Sequence, residues 1–150
     1  MGDDLVIQWK AFPLRPEPDP TVSFKGTYRE EGWRRCDAMA QGDGIRFTPW
    51  PRDDYPNWSL PALEAAKCVA LQGPEAFERL HLRLYEAFFT RSVNIAQPKE
   101  LVAVIQESGA DMPRFLIEGL KTIKGVERVQ LIRSNGVEEA FKDHKTLKSV

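Results

Sequence analysis

Residues 58–92, WSLPALEAAKCVALQGPEAFERLHLRLYEAFFTRS, read as two consecutive helices joined by a one-residue hinge, and the rest of the chain takes its place around them. The Ser59 hydroxyl is placed to accept a bond from an orphan amide at the start of the first helix. Pro61 falls in the first turn, where a missing amide hydrogen costs nothing. Leu63, Ala66 and Ala70 recur at helical spacing, and the small residues Ala62, Ala65, Ala66 and Ala70 let another backbone approach closely. Gly73 supplies the backbone freedom to leave this helix. Pro74 and Glu75 open the next, the carboxylate favouring the positive helix end. Along the second helix Phe77, Leu80, Leu84 and Phe88 repeat at three- and four-residue steps, with Tyr85 and Phe89 widening the stripe. Glu78, Arg79, Arg83 and Glu86 fall on the other side. This pattern is that of a core helix with one wet face.

A chain of 150 residues fits a single domain and can bury a sizeable core. Its formal charge of -1, from 21 basic and 22 acidic residues, argues against a nucleic-acid or polyanion binder, because phosphate binding needs a local excess of Lys and Arg. No apolar run is long enough to cross a bilayer, and MGDDLVIQW lacks the basic segment and apolar core of an export signal. The expectation is a soluble protein with no membrane partner. Cys36 and Cys68 have neither the density of a secreted disulfide framework nor a metal-site spacing, which leaves reducing cytoplasm as the default compartment.

Outward from the central pair, residues 5–12 (LVIQWKAF) alternate in the manner of a strand, with Leu5, Ile7, Trp9 and Ala11 on one face. Pro13, Pro16, Pro18 and Pro20 end it by removing backbone donors. One strand cannot satisfy its own amides, so it needs partners within the fold or from another chain. Residues 28–41 (YREEGWRRCDAMAQ) form a helix interrupted early by Gly32, with Trp33, Cys36 and Ala40 on one side and Gly42 and Gly44 ending it. Residues 47–58 (FTPWPRDDYPNW) are too irregular for an element and too apolar for a disordered linker, so they read as an ordered loop packed on the surface. Downstream, residues 98–108 form a short helix with Leu101, Val102 and Ile105 inward and Gly109 as terminator. Asp111 caps a further helix that turns Phe115, Leu116, Leu120 and Ile123 inward before Gly125. Residues 126–147 carry a helical pattern broken by the turn-like Ser134, Asn135 and Gly136; residues 129–132 alone offer a second short strand.

Few residues suggest chemistry. Cys36 beside Arg34 and Arg35 is a candidate reactive thiol, since nearby cations favour the thiolate, although a half-buried cysteine beside Trp33 is the commoner arrangement. Cys68 lies among alanines as a small core residue. Neither His81, on the stripe side of its helix, nor His144 has a second ligand at metal spacing. The acidic pairs Glu30–Glu31 and Asp53–Asp54 fit capping or solvated roles. Trp50, Tyr55 and Trp58 are candidates to line a substrate groove, and sealing a core edge is the other use of such residues.

The order of segments FPLRP, GWRRCDAMAQGDGIRF, a proline-rich loop, SLPALEAAKCVALQG, LYEAFFTRSVNI and ELVAVIQESGADMPRF resembles the DsbA-like thioredoxin-fold proteins. The nearest branch is the cytoplasmic FrnE-like and hydroxychromene-carboxylate-isomerase-like group. The resemblance runs from about residue 5 to residue 150. It implies a mainly α chain: a thioredoxin-fold strand at 5–12, a helical insertion at 22–125 and a helix returning to the thioredoxin fold at 126–150. In that family a strand and a helix bearing Cys-x-x-Cys precede the strand matched by LVIQWKAF. A cis-proline loop and the last strands of the sheet follow the helical part. A cysteine pair belongs at a helix N-terminus because the positive dipole end stabilises the thiolate.

No Cys-x-x-Cys occurs in this chain. The resemblance therefore implies a fragment, an excised domain or a relative that has lost its active site: the helical substrate-covering part of a thiol-disulfide oxidoreductase or isomerase acting on protein or small-molecule thiols and disulfides. One alternative is a noncatalytic module in which strand 5–12 pairs with another chain, as in a homodimer. Another is the glutathione-dependent isomerase or kappa-class transferase branch, the only reading in which a cofactor, glutathione, is expected.

Overall fold

In the computed structural model the chain is described over residues 9–115 and, for the backbone alone, over 128–132 and 138–142. It is mainly helical. Helix α1 spans Tyr28–Ala40 and runs on into a 3-10 turn at Gln41–Asp43; α2 spans Leu60–Ala70, α3 Pro74–Tyr85 and α4 Pro98–Glu107. A π-helical turn, Glu86–Thr90, extends α3. Two strands, β1 (Arg128–Ile132) and β2 (Glu138–Lys142), pair antiparallel, with Gln130 opposite Ala140.

Local chemistry accounts for the helix ends. The Thr27 hydroxyl caps α1 by accepting from the Arg29 amide at 3.3 Å, while Glu30 reaches back to accept from the Gly26 amide at 2.9 Å. The helix continues through Gly32, which costs helix stability without breaking it. Ser59 does not cap α2. Its hydroxyl accepts from the Arg15 amide at 3.0 Å and its own amide donates to the Arg15 carbonyl at 2.9 Å, so it ties the proline-rich segment to the start of α2. Trp58 reinforces that tie by donating from Nε1 to the Pro16 carbonyl at 3.1 Å. Between α2 and α3 the expected one-residue hinge is a turn of three residues, Leu71, Gln72 and Gly73, and Gly73 adopts φ +124°, open to glycine and strained for other residues.

Helices α2, α3 and α4 enclose the first core. Val69, Leu80 and Ile105 are fully buried, joined by Ala62, Ala65, Ala66, Ala76, Leu84, Ala87, Leu101 and Val104. Each large aliphatic side chain buried this way contributes about 1.5–3 kcal/mol. The alanine stripe of α2 packs as its spacing predicts, except that Ala70 is exposed. In α4, Val104 takes the inward place expected of Val102, which is half-buried.

Other expectations are corrected. Over residues 9–12 the N-terminal segment is not a strand, and residues 5–8 lie outside the described residues. Among the described residues no neighbouring strand receives its amides, and a lone segment gains nothing from strand geometry. The helix expected across 126–150 is replaced, where the backbone is described, by β1 and β2; the Ser134–Asn135–Gly136 triplet that read as a kink falls between the two strands. The β-branched Val129 and Ile132 suit a strand better than a helix. His144 lies outside the described residues.

Candidate functional site

A second cluster, almost wholly aromatic, joins α1 to the irregular loop and the π turn. Phe24, Trp33 and Trp50 are buried, with Phe47, Tyr55, Phe88 and Phe89 packed on them. Trp33 sits at the centre, its ring 4.9 Å from Phe24 and 5.2 Å from both Phe88 and Phe89. Most of these pairs meet edge to face, the arrangement the ring quadrupoles favour, worth about 0.5–1.5 kcal/mol per pair beyond burial. The π turn makes the junction possible. Its wider winding sends Ala87 into the first core while Phe88 and Phe89 enter the aromatic one. The Phe89 carbonyl accepts from the Thr48 amide at 2.8 Å, and the Thr90 hydroxyl donates to the Arg46 carbonyl at 2.9 Å, which fastens the loop to the turn.

The three aromatics singled out from sequence therefore divide. Trp50, only 2 % exposed, has no face to offer a ligand. Tyr55 lies 5.2 Å from Trp50 and is half-buried, and burial pushes its phenol pKa up. Trp58 stands outside the cluster and holds Pro16. The loop is thus more than a surface cover: it contributes one of the largest buried side chains of the protein.

Next to the cluster lies a charged clasp that sequence reasoning did not foresee. Arg52 is shared between two carboxylates: Nη2 contacts Asp54 and lies 2.5 Å from Glu100 Oε1, while Nη1 donates to Glu100 Oε2 at 3.0 Å. Buried Asn94 completes it. Its amide donates to Glu100 Oε2 at 2.7 Å, its Nδ2 donates to the Asp54 carbonyl, and its Oδ1 accepts from the Ala96 amide at 3.1 Å. Hydrogen bonds from Arg52 hold the Asp54 and Glu100 carboxyls below their ordinary pKa values, and the same bonds, that to Glu100 foremost, raise that of Arg52. The only hint in sequence is Asn94 itself, a lone amide between Val93 and Ile95 just ahead of a proline-started helix. Partners separated by 40 or more positions leave no spacing to read.

Cys36 is exposed on α1, one turn on from buried Trp33, and among the described residues no hydrogen bond links it to a base; Cys68 is buried in α2. Among the described residues no group of three His, Cys, Asp or Glu side chains is placed to hold a metal, and no helix is long and apolar enough to cross a membrane. Asp53 pairs with Lys25 at 2.9 Å. A groove of about 350 Å³ lies where α3 meets the end of α4, lined by Arg79, Leu82, Arg83, Glu86, Glu107 and Ser108. Its charges are largely matched: Arg83 to Glu86 at 2.6 Å, and Glu107 to Arg91 at 2.8 Å. Arg79 Nε donates to the Ser108 carbonyl at 3.2 Å, capping the C-terminus of α4. The groups brought together here pack the rings and clasp the loop to α4.

No family model matches the chain, and neither a curated protein nor a solved structure matches it.

Proposed function

We propose that this chain is the helical, substrate-covering part of a cytoplasmic thiol-disulfide oxidoreductase or isomerase of the DsbA-like class. The observation that supports the reading is the helical unit: α1 to α4 lie within residues 22–125, where the resemblance implies a helical insertion. The strand and helix it implies on either side are not what stands there, since residues 9–12 are not a strand and β1 and β2 take the place of a helix at 126–150. In such a protein one thiolate attacks a substrate disulfide and expels a second thiolate, forming a mixed disulfide. The neighbouring thiol then resolves it, so that the enzyme's dithiol is oxidised as the substrate is reduced. The helical part lies over the reacting sulfurs and binds the protein or small-molecule thiol, while the thiolate chemistry is assigned outside the described residues.

The test starts from the gene and the protein isolated from its source. The expected result is a reading frame that continues upstream into a strand and a helix beginning Cys-x-x-Cys, and a native protein that reduces insulin disulfides and keeps that activity with Cys36→Ser. Sustained insulin reduction by residues 1–150 carrying both Cys36→Ser and Cys68→Ser would sink the proposal, as would a frame with no cysteine pair.

A noncatalytic assembly module is the second reading. The observation favouring it is the exposed apolar surface of the N-terminal segment, with Trp9 56 % and Phe12 78 % exposed. A partner strand laid along residues 9–12 would cover it, and light scattering decides: a monodisperse monomer at high concentration removes a homodimer.

A further inference from the structure

Along α3 and into the π turn runs a row of rings at four-residue steps, its ends packed on the two cores. Phe77 stacks on His81 at 5.4 Å, His81 meets Tyr85 edge-on at 4.6 Å, and Tyr85 lies 6.0 Å from Phe89. The N-terminal segment comes down on this row at one ring: the Trp9 indole lies 4.2 Å from His81. Residues 10–14 make no hydrogen bond or ion pair among the described residues. The next fixed point along the segment is Arg15, held in both directions by Ser59. The segment is thus a strap, pinned at Arg15 and fastened at its far end by Trp9 on His81.

The fastening point is a titratable group in an unusual position. His81 Nε2 is inaccessible to water and has no hydrogen-bond partner among the described residues. A neutral imidazole tolerates this, because an unshared lone pair is a modest loss. An imidazolium does not, since protonation places a charged N–H donor where no acceptor waits for it among the described residues. Among the described residues the surrounding charges do not supply one. Glu78, one turn back on α3, favours the proton through space, while Phe77 and Tyr85 on the same helix and Trp9 from the strap bring uncharged rings, with Lys10 next to Trp9 in the chain.

We propose that His81 is a proton-operated fastener: the neutral ring holds Trp9, and with it the end of the strap, against α3, and protonation releases it.

The sign follows from the enclosed Nε2, to whose burial Trp9 adds a ring; burial, set against the weaker pull of Glu78, holds the His81 pKa below its ordinary value in the same sense. A base that loses proton affinity on docking favours the docked state at high pH. Docking therefore weakens as pH falls through the ordinary histidine value of about 6.5. By the same linkage, removing Trp9 must raise the His81 midpoint, each pKa unit corresponding to a factor of 10 in docking.

The test is a pH titration of the whole chain by NMR, following the Trp9 indole N–H and the His81 ring protons between about pH 8 and pH 5, the range that brackets a histidine. The Trp9 resonance is expected to move with the midpoint of His81, and ring cross-peaks between the two are expected to vanish on the acid side. Trp9→Ala should raise the His81 midpoint. His81→Phe, which keeps a ring and cannot titrate, should hold Trp9 at all these pH values. Cross-peaks that persist once His81 is charged would overturn the proposal, as would a Trp9 titration unchanged in His81→Phe.

Discussion

Ser92 is the residue whose backbone and side chain both work against it. It adopts φ +54°, in the left-handed region, and it is buried with its hydroxyl unpaired among the described residues. A non-glycine residue in that region gives up about 1–2 kcal/mol, and an orphaned buried hydroxyl about 1–3. Glycine relieves both, against about 0.5–1 kcal/mol of extra freedom in the unfolded chain. Ser92→Gly is therefore expected to stabilise the protein by about 1 kcal/mol, read as a higher urea midpoint at unchanged slope. Asn94, two residues on, is the reverse case. Asn94→Ala strands the Ala96 amide and the Asp54 carbonyl and should cost about 2 kcal/mol. Arg52→Ala, at a more exposed position, should cost no more than about 1.

The clasp also gives stability a pH dependence. Asp54 and Glu100 both have folded pKa values below their ordinary ones, so their contribution is complete above the ordinary carboxylate range and is lost as pH falls from there through the lowered folded values. Chemical unfolding of Glu100→Gln should show a shallower loss of stability between about pH 5 and pH 3 than the wild type. None of this was legible in the sequence beyond the oddity of a single asparagine, because the clasp is closed by chain segments that only folding brings together.

Among the helices, legibility followed periodicity. Helices α2, α3 and α4 were readable because proline, glycine and apolar residues at three- and four-residue steps all point to the same boundaries. The continuation of α3 was misread for an equally definite reason. A stripe of Phe77, Leu80, Leu84 and Phe88 assumes an unbroken 3.6-residue period, and the π turn at Glu86–Thr90 adds to that period just before Phe88. No residue type announces such a turn. The alanines of α2 test the packing that periodicity did reveal. Ala66 is buried among α3 and α4 whereas Ala70, four positions later, is exposed. Ala66→Leu is expected to overpack the core and cost about 1–3 kcal/mol. Ala70→Leu should leave stability within about 0.5 kcal/mol of the wild type, since surface changes rarely do more. Equal effects at the two positions would mean that the stripe does not end where the structure ends it.

The described helical region is built around two cores, one aliphatic between α2, α3 and α4 and one aromatic between α1, the loop and the π turn, and they meet in a single short element. Ala87 belongs to the first core and Phe88 and Phe89 to the second, so in the wild type the loss of either core strips neighbours from the same five-residue turn. That shared turn should make unfolding one cooperative event, with near-ultraviolet circular dichroism from the rings and far-ultraviolet signal from the helices changing together. Phe24 is the place to pull the cores apart. It is buried against Trp33 and Tyr55 and contributes nothing to the aliphatic core, and its loss leaves the tryptophans that report on packing in place. Phe24→Ala should cost the aromatic cluster about 3–5 kcal/mol, more than ring contacts with Phe88 and Phe89 can carry across the junction. The expected outcome is two transitions: the near-ultraviolet signal lost at lower denaturant while the far-ultraviolet signal of α2, α3 and α4 persists. A single coincident transition in the variant would show that the π turn couples the cores more strongly than its ring contacts account for. The clasp of Arg52, Asp54, Asn94 and Glu100, which ties the loop to the start of α4, would then be the element to remove next.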